Sequence, residues 1–557
     1  MSYSPDNALI IQSDRTVLLD VHAVNAERAQ VAIAPFAELV KSPEHIHTYQ
    51  LSPLSIWNAR AAGMAVTEMV AALEENAKYP MPESVAQELE TMGQRYGLTV
   101  LRQHREQGLV LLVVDAALAE QLQRHEQVEP LLGERFSDTE FAIALAHRGS
   151  LKQALLVAGY PAEDLAGYVT GDALTLSLRE KSLSGQPFGL RSYQQKAADL
   201  FYQAGHAKGG SGVIVLPCGA GKTMVGMATM AAIQQHTLIL TSNLTSVRQW
   251  RRELLDKTSL TEDHIAEYSG DRKATGPVTL ATYQILTYRA HKDEEFRHLG
   301  LFDQQDWGLI IYDEVHLLPA PVFRITATLQ ARRRLGLTAT LIREDGHEGD
   351  VFALIGPKRY DVPWRDLETQ GFIATAHCTE IRIAQPDDWQ MDYAMAPRRQ
   401  QFRIAAENPR KLEVVKTLLE KEAGHRILII GEYISQLKSI AALVDFPLIT
   451  GKTSQADREK IYGAFRQGDV SGLVLSRVGN FALDLPDADV LIQVSGKYGS
   501  RQEEAQRLGR ILRPKQTGNN AQFYTLVSSR TCEEDFAQHR QLFLTEQGYR
   551  YQIEVLT

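Results

Sequence analysis

Apolar positions change period along the chain. Residues 9–21 (LIIQSDRTVLLDV) hold two short apolar runs and read as a strand pair, and residues 55–95 follow with helical spacing. Between 96 and 175, TVLRQ and LVLLVVD read as strands, AALAEQLQRH as a helix, FAIALAH as a strand and SLKQALLVAGY as a helix, which makes a compact α/β unit. SGQPF (184–188) reads as a connector. Beyond it GVIVLP, TLILTS, VTLATY, WGLIIYDE, RILIIGE, GLVLSR and DVLIQVS alternate with amphipathic helices. Such alternation predicts a doubly wound parallel sheet, and the stretch is long enough for two in tandem.

The 557 residues correspond to three or four domains, at about 150 residues each. No apolar window reaches the roughly 18 residues of a membrane helix, so no membrane partner is expected. The opening MSYSPDNALII lacks the basic and apolar regions of a secretory signal. Three scattered cysteines, Cys218, Cys378 and Cys532, suit a reducing compartment and provide no zinc spacing. The expectation is a cytoplasmic protein. Net charge is −9, which argues superficially against a nucleic-acid partner. The acidity is local: residues 1–180 carry 13 basic and 24 acidic residues, leaving 46 and 44 for the rest. The larger part is thus near neutral, with basic clusters RQWRRE, ARRRLG and PRRQQFR that suit either a phosphate track or a solvated face.

GVIVLPCGAGKTMVG (212–226) carries the strongest chemistry. A β-rich run leads into Gly219-Ala220-Gly221, where the backbone can approach phosphate, and Lys222-Thr223 open a helix. Lys222 would reach the β and γ phosphates of ATP and Thr223 would bind Mg²⁺. Leu216 stands where the full motif has its first glycine. A second GKT, Gly451-Lys452-Thr453, lacks the upstream glycine and reads as a helix start capped by Thr453 or Ser454. In WGLIIYDEVHLL a strand delivers Asp313 and Glu314 at its carboxyl end, where open α/β sheets place ligands. Asp313 would hold Mg²⁺ and Glu314 would deprotonate the attacking water. Gln194 in RSYQQ can pair with an adenine edge, and Gln506, Arg510 and Arg513 in QRLGRILR place two arginines on one helical face, as fingers for a γ-phosphate require.

The order RSYQQ, GAGKT, DEVH, LTAT, QRLGRILR resembles superfamily 2 helicases. LTATLIREDG, LIGPKRYDVPW, TSQADREKIYGAF and LPDADVLIQVSGKYGSRQEEAQRLGRILRPK resemble, more narrowly, the XPB family of DNA helicases in its short prokaryotic form. The resemblance implies two RecA-like domains, 179–365 and 366–557, with a small thumb inserted at about 384–408. An N-terminal mixed α/β domain, 1–95, and a damage-recognition-like domain, 96–178, would precede them. It implies a 3′ to 5′ ATP-dependent DNA helicase or duplex translocase of nucleotide excision repair, partnered in some prokaryotic relatives by a nuclease. ATP would be bound by Arg191, Gln194, Gly219, Ala220, Gly221, Lys222, Thr223 and Asp484, with Mg²⁺ on Thr223 and Asp313. Catalysis would fall to Glu314, Gln506, Arg510 and Arg513, and coupling or DNA contact to Thr338, Thr340, Arg343, Glu344, Asp345, Arg398 and Arg399.

Arg343-Glu344-Asp345 sets three charges in a row, which cannot share one face of a helix or strand. The triplet reads as a loop beside DNA that discourages reannealing, or as a solvated turn. Other readings are an RNA or restriction-type superfamily 2 motor, and a scaffold that recruits a nuclease without turning over ATP. The expected form is a monomer, nucleoid-associated when on forked or duplex DNA.

Overall fold

A strand covered on both faces buries every residue and reads as a mostly apolar run, and Ser211–Val215, Thr237–Thr241 and Val278–Thr282 are buried throughout. In the computed structural model they lie inside a parallel sheet. The structure describes residues 3–41, 45–270, 272–288, 298, 301–302, 305–319, 322, 326, 329, 332–339, 348–362, 364–476, 488–496, 504, 507–509, 511–512, 519–546, 549 and 551–556. Two compact units emerge, Met1–Val215 with Lys222–Asp361, and Val362–Thr557 with the segment Leu216–Gly221.

In the first unit seven strands run in the order Ile265–Tyr268, Val278–Thr282, Thr237–Thr241, Leu309–Asp313, Arg333–Thr338, Ser211–Val215 and Lys358–Asp361. Every pairing is parallel. Leu238, Leu240, Trp307, Ile310 and Tyr312 fill the core on one side. The strand pair expected at residues 9–21 forms as Leu9–Ile11 and Thr16–Asp20, antiparallel within a four-stranded sheet. Helices Pro53–Ala62, Val66–Asn76 and Glu83–Arg95 follow. The first of these opens on Ser52, whose Oγ accepts from Ser55 N at 3.1 Å. Pro53 sits at the first helical position, where a missing N–H costs nothing. This helix lies against the outermost strand of the parallel sheet: Lys358 N donates to Asn58 Oδ1 at 2.9 Å, and Arg359 Nη1 to Ala61 O at 3.4 Å.

A five-stranded sheet follows, built on the hairpin Thr99–His104 and Gly108–Val113, with helices Ala116–Gln123 and Arg148–Val157. The strand expected across FAIALAH spans only its first two residues, as the end of Glu140–Ala142, and Leu145–His147 is a helical turn. The cause is its partner: Ala142 pairs with Val110 and Ile143 N still donates to Leu109 O at 2.9 Å, but that strand begins at Gly108 in the hairpin turn, so the ladder ends before Leu145. Arg148 binds Asp164 through Nε at 3.0 Å and Nη2 at 2.7 Å, and Lys152 Nζ lies 3.3 Å from the same carboxylate. The Tyr168 ring carries the guanidinium groups of Arg148, Arg333 and Arg334 at 5.7, 5.6 and 5.7 Å. Because Arg333 and Arg334 belong to the parallel sheet, these cation–π contacts fasten the two sheets together.

The second unit holds another wholly parallel seven-stranded sheet, in the order Leu448–Ile449, Gly472–Leu475, Ile427–Ile430, Val490–Gln493, Asn520–Ser528, Thr375–Ile383 and Tyr551–Leu556. Helices Asp387–Met395 and Arg398–Ala406 form a hairpin after Thr375–Ile383. Phe402 anchors the hairpin against Tyr433 and Phe536, with ring centroids 5.7 and 5.2 Å away. The second GKT precedes helix Gln455–Gln467, capped by Ser454 Oγ accepting from Asp457 N at 3.2 Å. Two parallel sheets thus follow one another along the chain, as the alternation of apolar runs and helices implies. No helix among the described residues is long and apolar enough to cross a membrane.

Candidate active site

Strand Ser211–Val215 is followed by a loop in which Gly219 and Gly221 have φ of 84° and 83°. Side chains with a Cβ avoid that region, so both glycines are required. Ala220 N donates to Pro217 O at 3.1 Å, closing the turn. Lys222 and Thr223 then begin helix Lys222–Ile233.

Lys222 Nζ lies 3.0 Å from Glu314 Oε1, with side chains 12% and 21% exposed. Asp313 ends strand Leu309–Asp313, and its Oδ2 accepts from Trp250 Nε1 at 2.9 Å. Its backbone oxygen accepts from Tyr283 OH at 2.9 Å. Burial first, and then the charge of Glu314, push the Asp313 carboxyl up to about 6 against the pull of Lys222. Glu314 takes φ 53° and ψ 54°, a left-handed conformation costly for a residue with a side chain. That turn directs the chain into Val315–Leu317. There His316 Nδ1 is 2.7 Å from Thr338 Oγ1 and 3.5 Å from Glu314 Oε2. Thr338 ends strand Arg333–Thr338 and pairs with Val215, so the strand that leads into the phosphate loop, the acidic pair and the threonine share the carboxyl edge of one sheet. A carboxyl whose proton affinity is raised by burial and by a neighbouring carboxylate favours a divalent cation beside a phosphate chain, which fits Mg²⁺ with a nucleotide.

Gln194 is buried, and its Oε1 accepts from Arg191 N at 2.9 Å, at the start of helix Ser192–Tyr202. Its Nε2 lies 3.4 Å from Tyr193 OH, and Arg191 Nη1 3.3 Å from the same oxygen. Arg398 and Arg399 are exposed at the start of the second hairpin helix. Thr340, Arg343, Glu344, Asp345, Asp484, Gln506, Arg510 and Arg513 lie outside the described residues. Trp250, Tyr283 and His316 contact the acidic pair or Thr338 without having been singled out from the sequence. Trp250 stood inside a cluster read for its arginines, and only its helical spacing with Val247 and Leu254, all three buried, marked it as inward-facing.

A phosphate loop and a strand-end acidic pair on the first of two parallel sheets define a motor ATPase of superfamily 2 helicase type. Residues 367–557 match a family model described as ERCC3/RAD25/XPB C-terminal helicase. Residues 187–343 match the type III restriction enzyme res subunit, and 9–137 a helicase conserved C-terminal domain. Among curated proteins, the chain is 53% identical to the DNA 3′-5′ helicase XPB of Kineococcus radiotolerans over 98% of this chain and 96% of that one. It is 52% identical to the DNA 3′-5′ helicase XPB of Mycobacterium tuberculosis, over 98% and 97%. It is 30% identical to the XPB/SSL2 helicase/translocase subunit of general transcription and DNA repair factor IIH from Saccharomyces cerevisiae, over 99% and 72%. Among solved structures, the DNA-bound type ISP restriction-modification enzyme LlaBIII aligns with a TM-score of 0.50 and 13% identity, over 67% of this chain and 31% of that one, a likeness of fold. The chain belongs to the XPB family of DNA helicases.

Proposed function

We infer that the protein is an ATP-dependent 3′ to 5′ DNA helicase that couples ATP hydrolysis to duplex opening in nucleotide excision repair. The observation that carries the reading is the meeting of Lys222 with Glu314 at 3.0 Å beside the buried Asp313. Lys222 engages the β and γ phosphates, and Thr223 and Asp313 hold Mg²⁺. The bound cation supplies charge neutralisation on the phosphates. Glu314 exchanges its contact with Lys222 for a water and accepts its proton. Arg510 and Arg513, with Gln506, stabilise charge on the γ-phosphate, and Arg191, Gln194 and Asp484 complete the nucleotide site. Thr338 and Thr340 link hydrolysis to DNA. Arg343, Glu344 and Asp345 face the fork, and Arg398 and Arg399 follow phosphates.

In this reading the domains are 1–95, the damage-recognition-like 96–178, and the RecA-like 179–365 and 366–557, the last with hairpin 387–406 as a thumb. The working form is a cytoplasmic monomer, nucleoid-associated on DNA and served by a nuclease partner. ATPase rates measured in parallel with no nucleic acid, duplex DNA, forked DNA and RNA test the reading. Stimulation by DNA, strongest on forks, is the expected result; preferential stimulation by RNA overturns it.

A further inference from the structure

The second hairpin helix, Arg398–Ala406, ends on a buried amide. Gln436, 7% exposed, donates from Nε2 to the carbonyl oxygen of Ala406 at 2.6 Å and accepts at Oε1 from Ser495 Oγ at 2.9 Å. Ser495, 1% exposed, follows strand Val490–Gln493, and its Oγ also accepts from Glu432 N at 2.9 Å. The Glu432 carboxylate in turn lies 3.6 Å from the buried guanidinium of Arg507. Arg507 follows Gln506 directly and precedes Arg510 by three positions in QRLGRILR. One amide and one hydroxyl, continued by Glu432, therefore join the foot of the hairpin to Arg507.

The junction has little freedom. A Cβ on Gly431 would lie 2.8 Å from Val494 Cγ2 and 3.1 Å from Ser495 Oγ, so the backbone closes directly on the hydroxyl. Nearby, Lys411 Nζ donates to Val494 O at 2.9 Å and to Glu533 Oε2 at 2.8 Å, which fixes the strand end. A buried amide that loses a partner is left with an unsatisfied polar group, so a displacement at either end disfavours the old arrangement at the other.

We propose that Gln436 and Ser495 are positioning residues that couple DNA held by the hairpin to ATP turnover through Glu432 and Arg507. The inference rests on the motor function above and adds how its second domain reports DNA. Both side chains are buried and spend their polar atoms on each other and on backbone groups, so their loss is expected to separate coupling from chemistry. The test compares the full chain with Gln436→Leu and Ser495→Ala, reading ATPase without DNA, ATPase with forked DNA, DNA affinity and Tm. Ser495→Ala removes a single oxygen and keeps the test informative if the larger change impairs folding. The expected result is unchanged basal turnover and DNA affinity, with DNA stimulation reduced about fivefold or more. The double variant should lose no more than the worse single one, because both act through one contact. Parental stimulation in both variants overturns the proposal, as does a parallel loss of basal and stimulated turnover with a fall in Tm. A parent whose turnover ignores DNA overturns the motor reading itself, and the coupling with it.

Discussion

Trp250 Nε1 donates to Asp313 Oδ2 at 2.9 Å, so an indole from helix Leu244–Lys257 orients the carboxylate assigned to Mg²⁺. The indole is held in turn by the helix that follows the phosphate loop, since a Cβ on Gly226 would lie 2.5 Å from Trp250 Cη2. Helix Lys222–Ile233, indole and acid are therefore set by one packing arrangement.

Trp250→Phe keeps the aromatic bulk and removes the donor. A hydrogen bond to a charged group contributes about 1.5–3 kcal/mol, so half-saturation by Mg²⁺ should rise roughly tenfold or more. A Mg²⁺ titration of ATPase reads this directly. An unchanged midpoint removes Trp250 from the site.

Glu314→Gln keeps the shape and cannot accept a proton. Turnover should fall by about 10²-fold or more, while a fluorescent ATP analogue still binds. Near-parental hydrolysis would take the base role away from Glu314.

Arg398 and Arg399 are adjacent and exposed, so they can be neutralised together. Changing both to Ala should reduce the slope of log affinity for DNA against log salt by about one to two units. The titration needs no catalysis, and an identical slope would exclude the hairpin from the DNA path.

Asp164 is buried between Arg148 and Lys152. Burial alone would raise its carboxyl, but the two cations outweigh burial and hold it well below the ordinary carboxylate value. Its stabilising contribution is present above that ordinary value, near 3.8, and is lost as pH falls through the lower folded value. Asp164→Asn at neutral pH should cost about 3–5 kcal/mol, because two buried cations lose their partner. Denaturant unfolding should show this gap shrinking only below about pH 4. A gap constant down to strongly acidic pH would show that the charge of Asp164 is immaterial.

Seven inner strands, Ser211–Val215, Thr237–Thr241, Val278–Thr282, Leu309–Asp313, Ile427–Ile430, Gly472–Leu475 and Val490–Gln493, were legible because each is covered on two faces and reads as a short, mostly apolar run, whereas Arg333–Thr338, with its buried Arg334, and Asn520–Ser528 were not read as strands. Lys358–Asp361 and Tyr551–Leu556 were not, since strands at a sheet rim keep polar residues and resemble loops. Thr375–Ile383 was hidden differently: its buried Glu380 is satisfied by Arg382 and by Gln541, a partner from a distant helix. The same division holds at the site. Lys222 and Glu314 stand in motifs whose chemistry is local, whereas Trp250 reaches Asp313 across 63 residues and His316 reaches Thr338 across 22. Only folding makes those two pairs neighbours.

The docking of Asn58 on Lys358 closes part of an open sheet rim. A parallel sheet ends in a row of backbone donors and acceptors that can template another chain. Helix Pro53–Ala62 occupies part of that rim on the first sheet, with its own side chain answering the Lys358 amide. The N-terminal residues thus cover part of a rim that could otherwise template a second chain. A chain begun at residue 96 would carry the rim bare and should aggregate during expression, even with every residue of the candidate active site intact.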